Sequence, residues 1–274
     1  MDAKLPDFSN PPVVEVALAV QFEPLTALRT PQIGLLWRKF RDRFPKIEEH
    51  APLDPMMERF GVSGPPKPSV HFEMMRKPPV PRCWFLNEAG TELIQVQPDR
   101  FAQNWRKIEG DEDYPRYEHI RATFLKNLAT FERFVHDEKI GELKPNQCEL
   151  TYVNHIVSGP GWQHHGELGK ILTLFETRYT EEFLPELEEA RVSGAYLIPA
   201  SNGEPLGRLR FSIDSAFRRA DNKPIMVLNL VARGRPDGTG TDGVMKFLDT
   251  GHEWIVRGFA AMTTAEMHKI WGRM

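Results

Sequence analysis

Alternation of apolar and polar residues in strand-like segments is the feature that most constrains this chain. The apolar residues of Val13–Phe22 fall on one side of a strand: Val14, Val16, Leu18, Val20 and Phe22. The residues on the other side are small or polar: Glu15, Ala17, Ala19 and Gln21. Since only the apolar side can contribute to a thick core, the pattern predicts a sheet with one covered face and one open face.

The order of predicted elements favours an α+β fold with antiparallel strands. In the first half, strands are predicted at 13–22, 70–75, 82–86 and 93–97, with one helix from Thr30 until Pro45 and another at 114–138. In the second half, strands are predicted at 148–157, 191–198, 207–217 and 224–233, with helices at 168–179, 247–262 and 264–272. Residues 48–69 are rich in proline and are predicted to form a loop.

This order predicts two topologically similar halves, 1–143 and 144–274, each with the pattern β-α-β-β-β(-β)-α. Helices should then cover one face of an extended antiparallel sheet, because each sheet and helix must bury its apolar side. The arrangement is similar in outline to the two-lobed saddle of TATA-binding-protein-like folds. No repeat is visible at the level of residues, so the predicted repeat is topological.

The stretch Glu92–Lys107 combines a strand with a turn. Pro98-Asp99 follows the strand at 93–97 and turns the chain into 101–105, and a helix is predicted to begin shortly afterwards. The run IQVQPDRFAQNWRK, followed by Tyr-Pro-Arg-Tyr at 114–117, resembles a sporadically distributed family of bacterial proteins of unknown function. Three further segments share this resemblance: PPVVE at 11–15, ELTYVN at 149–154 and LDTGHE at 248–253.

The resemblance extends over nearly the whole chain and implies an intact fold and a bacterial origin. It implies no catalytic residues, since none is assigned to the family. The scattered distribution of the family implies a place in a mobile bacterial defence or toxin-neutralising locus.

Charge and composition narrow the classes of partner and compartment. The chain has 274 residues and a formal net charge of -3, so no overall positive field attracts nucleic acid. No apolar run approaches the roughly 20 residues that span a bilayer, and the N-terminus lacks the pattern of a signal peptide. We therefore expect a cytoplasmic protein with no membrane partner. Cys83 and Cys148 are predicted to be buried thiols, with a disulfide or redox pair as the alternative.

Metal-binding and catalytic motifs are incomplete in this sequence. The pair His252-Glu253 begins like the helix of a zinc protease, but a valine stands where the second histidine would have to lie. His155, His164 and His165 are the remaining candidates for a metal, and neither a metal site nor a cofactor is predicted. The pair at 252–253 is interpreted either as an acid/base pair or as a capping and packing element.

The open face carries the predicted ligand-binding site. Alternate strand residues place hydrogen-bonding side chains on it: Gln95, Gln97, His155, Arg208, Arg210 and Asp214. Arg208 and Arg210 lie two residues apart in one strand, so their guanidinium groups point the same way and suit a carboxylate or a phosphate. The sequence therefore predicts a non-catalytic recognition protein that binds a protein or ligand partner through this face.

Two other interpretations stay open at this point. The face is an ordinary solvated surface, or the chain is an enzyme acting on nucleotide or nucleic-acid substrates, with its site on the open face or beside His155 and His252. Changing both Arg208 and Arg210 to glutamate is expected to leave folding nearly intact, because substitutions at exposed positions change stability little.

Overall fold

The computed structural model describes residues 4–61, 79–175, 183 and 187–274. Within them lie nine strands: β1 (Val13–Phe22), β2 (Lys46–His50), β3 (Arg82–Leu86), β4 (Glu92–Gln97), β5 (Arg100–Arg106), β6 (Pro145–Val157), β7 (Arg191–Pro199), β8 (Pro205–Phe217) and β9 (Pro224–Gly234). They also contain five α-helices: α1 (Thr30–Trp37), α2 (Tyr117–Asp137), α3 (Leu168–Ile171), α4 (Gly240–Met262) and α5 (Ala265–Ile270).

All nine strands belong to one sheet, in the order β2-β3-β4-β5-β1-β6-β9-β8-β7. Every neighbouring pair is antiparallel, and β1 and β6 lie side by side with Leu18 opposite Leu150. The predicted α+β fold with an antiparallel sheet is therefore confirmed. The boundary predicted at 143/144 falls between α2 and β6. That boundary, the topological repeat and the likeness to a saddle-shaped fold stay predictions.

The long helices pack on the apolar face of the sheet. On this face Phe131 of α2 stacks against Phe101 of β5, with ring centroids 5.1 Å apart. Gly251 of α4 lies so close to β9 that a Cβ atom added there would come within 2.9 Å of the Ala232 side chain. The core consequently forms between α2, α4 and one side of the sheet, as the alternation in the strands predicts.

Two strands were not predicted, and both have local reasons. Pro98-Asp99 is a two-residue hairpin turn that leads directly into β5, and the helix expected after Trp105 is α2, which begins at Tyr117. Five consecutive residues of β5, Phe101 to Trp105, are all buried, so this strand lacks the alternation by which half-buried strands are recognised. Strand β2 is a polar edge strand whose last three residues, 48–50, fall in the segment predicted as a loop.

Several predicted helix boundaries were wrong. Helix α1 ends at Trp37 and is followed by turns, instead of continuing to Pro45. Helix α3 ends at Ile171 because Leu172 is extended and forms an isolated bridge with Thr263. The rest of that predicted helix, from 176 to 179, and the strand predicted at 70–75 lie outside the described residues.

Candidate functional site

The six side chains predicted to bind a ligand all lie on the face opposite the long helices, but they do not converge. Gln95 and Gln97 belong to β4, whereas Arg208, Arg210 and Asp214 belong to β8. Strands β4 and β8 are five steps apart in the sheet, which corresponds to roughly 24 Å at about 4.8 Å per step. The face therefore offers at least two separate groups of polar side chains rather than one site.

Residues 51–61, which we call the strap, cross this face without regular secondary structure. Three glutamines, one each on β4, β1 and β6, accept hydrogen bonds from its backbone. The side-chain oxygens of Gln97, Gln21 and Gln147 accept from the backbone N–H groups of Leu53 at 3.0 Å, Met56 at 2.9 Å and Glu58 at 3.2 Å, respectively. The hydrogen-bonding capacity that the sequence assigned to Gln97 is thus used by the chain's own segment.

The two arginines hold a carboxylate, which comes from Glu58 in the strap. Arg210 donates to both oxygens of Glu58, at 2.8 and 2.9 Å, and Arg208 donates to one of them. The Glu58 side chain is only 2% exposed, and Arg233 lies 3.9 Å from it. Burial opposes ionisation of Glu58, but the hydrogen bonds from Arg210 and Arg208 outweigh burial and lower its pKa.

The other predicted residues of this face are engaged locally. Gln95 accepts from Arg82 at 3.1 Å and donates to Asn104 at 2.8 Å. Asp214 forms an ion pair with the exposed Arg191 on the neighbouring strand. Burial, followed by the positive charge of Arg218, lowers the pKa of His155. None of these contacts by itself forms a pocket.

A cavity of about 350 Å³ lies on the opposite, helix-covered side of the sheet. Its walls come from the N-terminal segment 4–11, from residues before and at the start of α2, from β6 and from α4. We call it the tyrosine cavity, because Tyr114, Tyr117 and Tyr152 line it together with His252. Most of the remaining wall is apolar and includes Phe259.

The three tyrosines and the histidine of the tyrosine cavity form one connected group. The hydroxyl of Tyr152 lies 2.9 Å from that of Tyr114 and 3.1 Å from Nδ1 of His252. The imidazole of His252 stacks on Tyr117, with ring centroids 3.9 Å apart and planes inclined by 6°. Tyr117 in turn donates to Asp249 at 2.9 Å. Ring stacking and hydrogen bonds together fix the position of the imidazole.

Helix periodicity explains how these groups meet. Asp249 and His252 are three residues apart on α4, so they share one side of the helix beside its buried stripe. Tyr117 and Arg121 are four residues apart on α2, and Arg121 donates to both oxygens of Asp249, at 2.6 and 2.8 Å. Tyr152 projects from β6 toward the helices. The two long helices are thereby tied together beside the cavity.

The hydroxyls of Tyr114 and Tyr152 and the imidazole of His252 are neutral near pH 7. Burial raises the pKa of Tyr114 to about 12 and raises the pKa of Tyr152 well above its usual value. Burial also lowers the pKa of His252 to about 4, although the charges of Glu118 and Asp249 act in the opposite direction. The cavity therefore presents hydroxyl and imidazole groups that donate or accept hydrogen bonds without net charge.

The N-terminal segment closes one side of the tyrosine cavity. Arg116 donates to Asp7 at 3.1 Å and to the carbonyl of Phe8 at 3.0 Å. Arg116 has a φ of 68°, a conformation that is unfavourable for a residue with a side chain. Phe8 packs edge-on against Phe259 and Trp271. The cavity thus depends on the docking of this segment as well as on the sheet and the helices.

Sequence reasoning singled out His252 but missed its partners. Tyr114 and Tyr117 belong to the segment 114–117, Tyr152 belongs to ELTYVN, and Asp249 belongs to LDTGHE. Four of the five segments on which the family resemblance was based therefore contribute to this cavity, including PPVVE, whereas the run IQVQPDRFAQNWRK does not line it. Their joint presence in the sequence was the signal that could have located the site.

Searches for similar proteins found no matching family model, curated protein or solved structure. The resemblance to a bacterial family consequently stays a prediction. Among the residues that the structure describes, no helix is long and apolar enough to cross a membrane. The same residues contain no group of three or more histidine, cysteine, aspartate or glutamate side chains arranged to hold a metal ion. Both cysteines are buried and free.

Proposed function

We propose that this protein is a non-catalytic recognition protein that binds a small organic molecule in the tyrosine cavity. The observation that carries the proposal is the connected group of Tyr114, Tyr152 and His252, placed in an otherwise largely apolar wall. Sites for small molecules combine an apolar wall with a few fixed polar groups, and their volumes are roughly 300–1,000 Å³. The cavity of about 350 Å³ lies at the small end of this range.

The chemistry of the wall favours a neutral ligand. The hydroxyls of Tyr114 and Tyr152 suit a carbonyl, amide or hydroxyl group, and the apolar wall suits an aromatic or aliphatic body. A charged ligand would need a charged partner in the wall. Four charged side chains line the cavity, two cationic (Lys4 and Arg116) and two anionic (Asp7 and Glu118), so their charges balance, and Arg116 pairs with Asp7. We therefore expect an uncharged molecule with one or two hydrogen-bonding groups.

The first experiment identifies a ligand and then removes one hydroxyl. Native mass spectrometry of the purified protein, followed by a thermal-shift screen of neutral aromatic compounds, supplies a ligand to titrate. Tyr152→Phe keeps the ring but removes the central hydroxyl of the group, so affinity should fall by about tenfold. Tyr196→Phe is the matched control, because Tyr196 is exposed and lies on β7 at the far edge of the sheet. Unchanged affinity in folded Tyr152→Phe protein would refute the proposed binding mode.

A second candidate function is that of an enzyme acting on a molecule in the same cavity. It is favoured by the contact between His252 and Tyr152, because a neutral imidazole that accepts a proton beside a hydroxyl can act in acid–base catalysis. His252→Gln separates the two functions. In the enzyme, this change abolishes conversion of the bound molecule and largely preserves binding, whereas in the recognition protein no conversion occurs with either form.

A further inference from the structure

The strap occupies a site that carries more positive than negative charge. Arg208, Arg210 and Arg233 surround the carboxylate of Glu58, and Arg233 also pairs with Glu149. Three guanidinium groups thus face two carboxylates. Guanidinium groups bind carboxylates through two parallel hydrogen bonds, and Arg210 binds Glu58 in this way.

Most other contacts of the strap do not depend on its side chains. The glutamines of the sheet bind backbone N–H groups, and Gln97 also donates to the carbonyl of Leu53 at 2.9 Å. The apolar side chains of Leu53, Met56 and Met57 stay 39%, 46% and 50% exposed. The strap therefore contributes little apolar burial, and its backbone contacts are available to any extended segment.

The side-chain contacts that select the strap lie at its C-terminal end. Glu58 binds the arginines, and the Phe60 ring lies 4.7 Å from the Arg208 guanidinium carbon. A foreign segment with an acidic residue at the position of Glu58 would form the same backbone hydrogen bonds and ion pairs with the sheet as the strap does. Exchange of the two segments therefore leaves no polar group of the sheet unpaired.

We propose that this face binds an extended acidic segment of a partner protein, whose glutamate or aspartate takes the place of Glu58 among Arg208, Arg210 and Arg233. The strap then acts as an internal occupant that the partner segment displaces. This site lies on the opposite side of the sheet from the tyrosine cavity and is independent of the function proposed for that cavity.

The test uses the full-length chain and labelled peptides. The probe is an 11-residue peptide with the sequence of residues 51–61, measured by fluorescence anisotropy, and its matched control has glutamine at the position of Glu58. Because the tethered strap competes with the probe, the protein carries Glu58→Gln, which weakens the strap. This variant should bind the acidic probe about tenfold more tightly than wild-type protein does, and about tenfold more tightly than the control peptide. Adding Arg210→Gln should remove the preference for the acidic probe.

A third peptide decides whether the site accepts a foreign segment. It has the same length, consists of alanine and glycine, and carries a single glutamate at the position of Glu58. Binding within about fivefold of the strap sequence supports the proposal, because backbone and carboxylate contacts are the same in both. If only the strap sequence binds, the face serves its own chain alone and the proposal is wrong.

Two further results would also overturn the proposal. Equal binding of the acidic and control peptides would show that the arginines do not select a carboxylate. Inorganic phosphate or a single-stranded oligonucleotide that binds the variant more tightly than any acidic peptide would assign the site to phosphate groups. If Glu58→Gln does not fold, Glu58→Asp serves in the same titrations, because it keeps the charge and shortens the side chain that reaches the arginines.

Discussion

Removing the charge of Glu58 should destabilise the protein by about 2 kcal/mol. Breaking a fully buried ion pair costs about 3–5 kcal/mol, because one charge is left without a partner. Glu58 meets this condition with a side chain that is 2% exposed, but Arg208 and Arg210 are 21% and 42% exposed and can be hydrated when the carboxylate is lost. Glutamine also keeps one oxygen that accepts a hydrogen bond from an arginine. For both reasons, the loss of unfolding free energy in Glu58→Gln should lie below the range for a fully buried ion pair.

Urea denaturation of wild-type protein and Glu58→Gln, followed by circular dichroism, measures this difference. Glu266→Gln is the matched control: Glu266 and Lys269 form an ion pair in which both side chains are more than 60% exposed. Its effect should stay within about 0.5 kcal/mol, as for other exposed pairs. If Glu58→Gln is as stable as the control variant, the strap does not hold its ion pairs in solution and our reasoning about the sheet face fails.

The difference in unfolding free energy between wild type and Glu58→Gln should depend on pH. Since the pKa of Glu58 is lower in the folded protein than its usual value of 4.5, the folded state holds the ionised form more strongly than the unfolded state does. The stabilisation is therefore fully present at pH 7 and is lost as the pH falls below about 4.5 and through the folded-state pKa. The difference in unfolding free energy between wild type and Glu58→Gln should shrink between pH 7 and pH 3. A difference that stays constant over this interval would contradict the assigned ion pairs.

Three further predictions concern the core and the cavity. Gly251→Ala should lower stability by about 1–3 kcal/mol, because the added methyl group overpacks α4 against β9. Gly34→Ala in α1 is the control and should be neutral or stabilising, since nothing lies within 4 Å of the added atom. Thermal unfolding of the two variants and of wild type measures both effects. His252 should stay neutral in an NMR titration down to about pH 5. Because the pKa of His252 is lowered in the folded state, the free energy of unfolding should fall as the pH drops from about 6.5 toward 4. His252→Gln should remove this pH dependence. Cys83 and Cys148 should react with a thiol reagent at pH 8 only after unfolding, because burial raises the pKa of both thiols; rapid reaction of the native protein would contradict their burial.

The expectation that Arg208 and Arg210 can both be changed to glutamate without loss of stability has to be corrected. It rested on the assumption that the two side chains only face solvent. The structure instead places the buried carboxylate of Glu58 between them, so the double substitution would bring three carboxylates together. The sequence indicated that these arginines suit a carboxylate, but it did not indicate that the carboxylate is about 150 residues away in the same chain.

The sequence by itself determined which side chains share a face of the sheet. Side-chain direction alternates along a regular strand, so the apolar residues of β1 from Val16 onward and the arginines of β8 could be assigned to opposite faces without a structure. The assignment of Val14 was wrong, because a register shift interrupts the alternation there and Val13 is buried instead. Strand β5 escaped this reasoning. Its polar residues Gln103 and Asn104 are buried and satisfied by Asn127, Gln95 and Glu15, which hides the alternation.

Only the tertiary structure decided what covers each face and where a ligand can enter. The glutamines of the sheet look like free hydrogen-bonding groups in the sequence, and only folding places the strap over them. Likewise, Tyr114 and His252 are distant in sequence and meet through Tyr152, because β6 passes beneath the start of α2 and the middle of α4. Hydrogen bonds between such distant residues depend on the packing of whole elements, and no local pattern of residues encodes that packing.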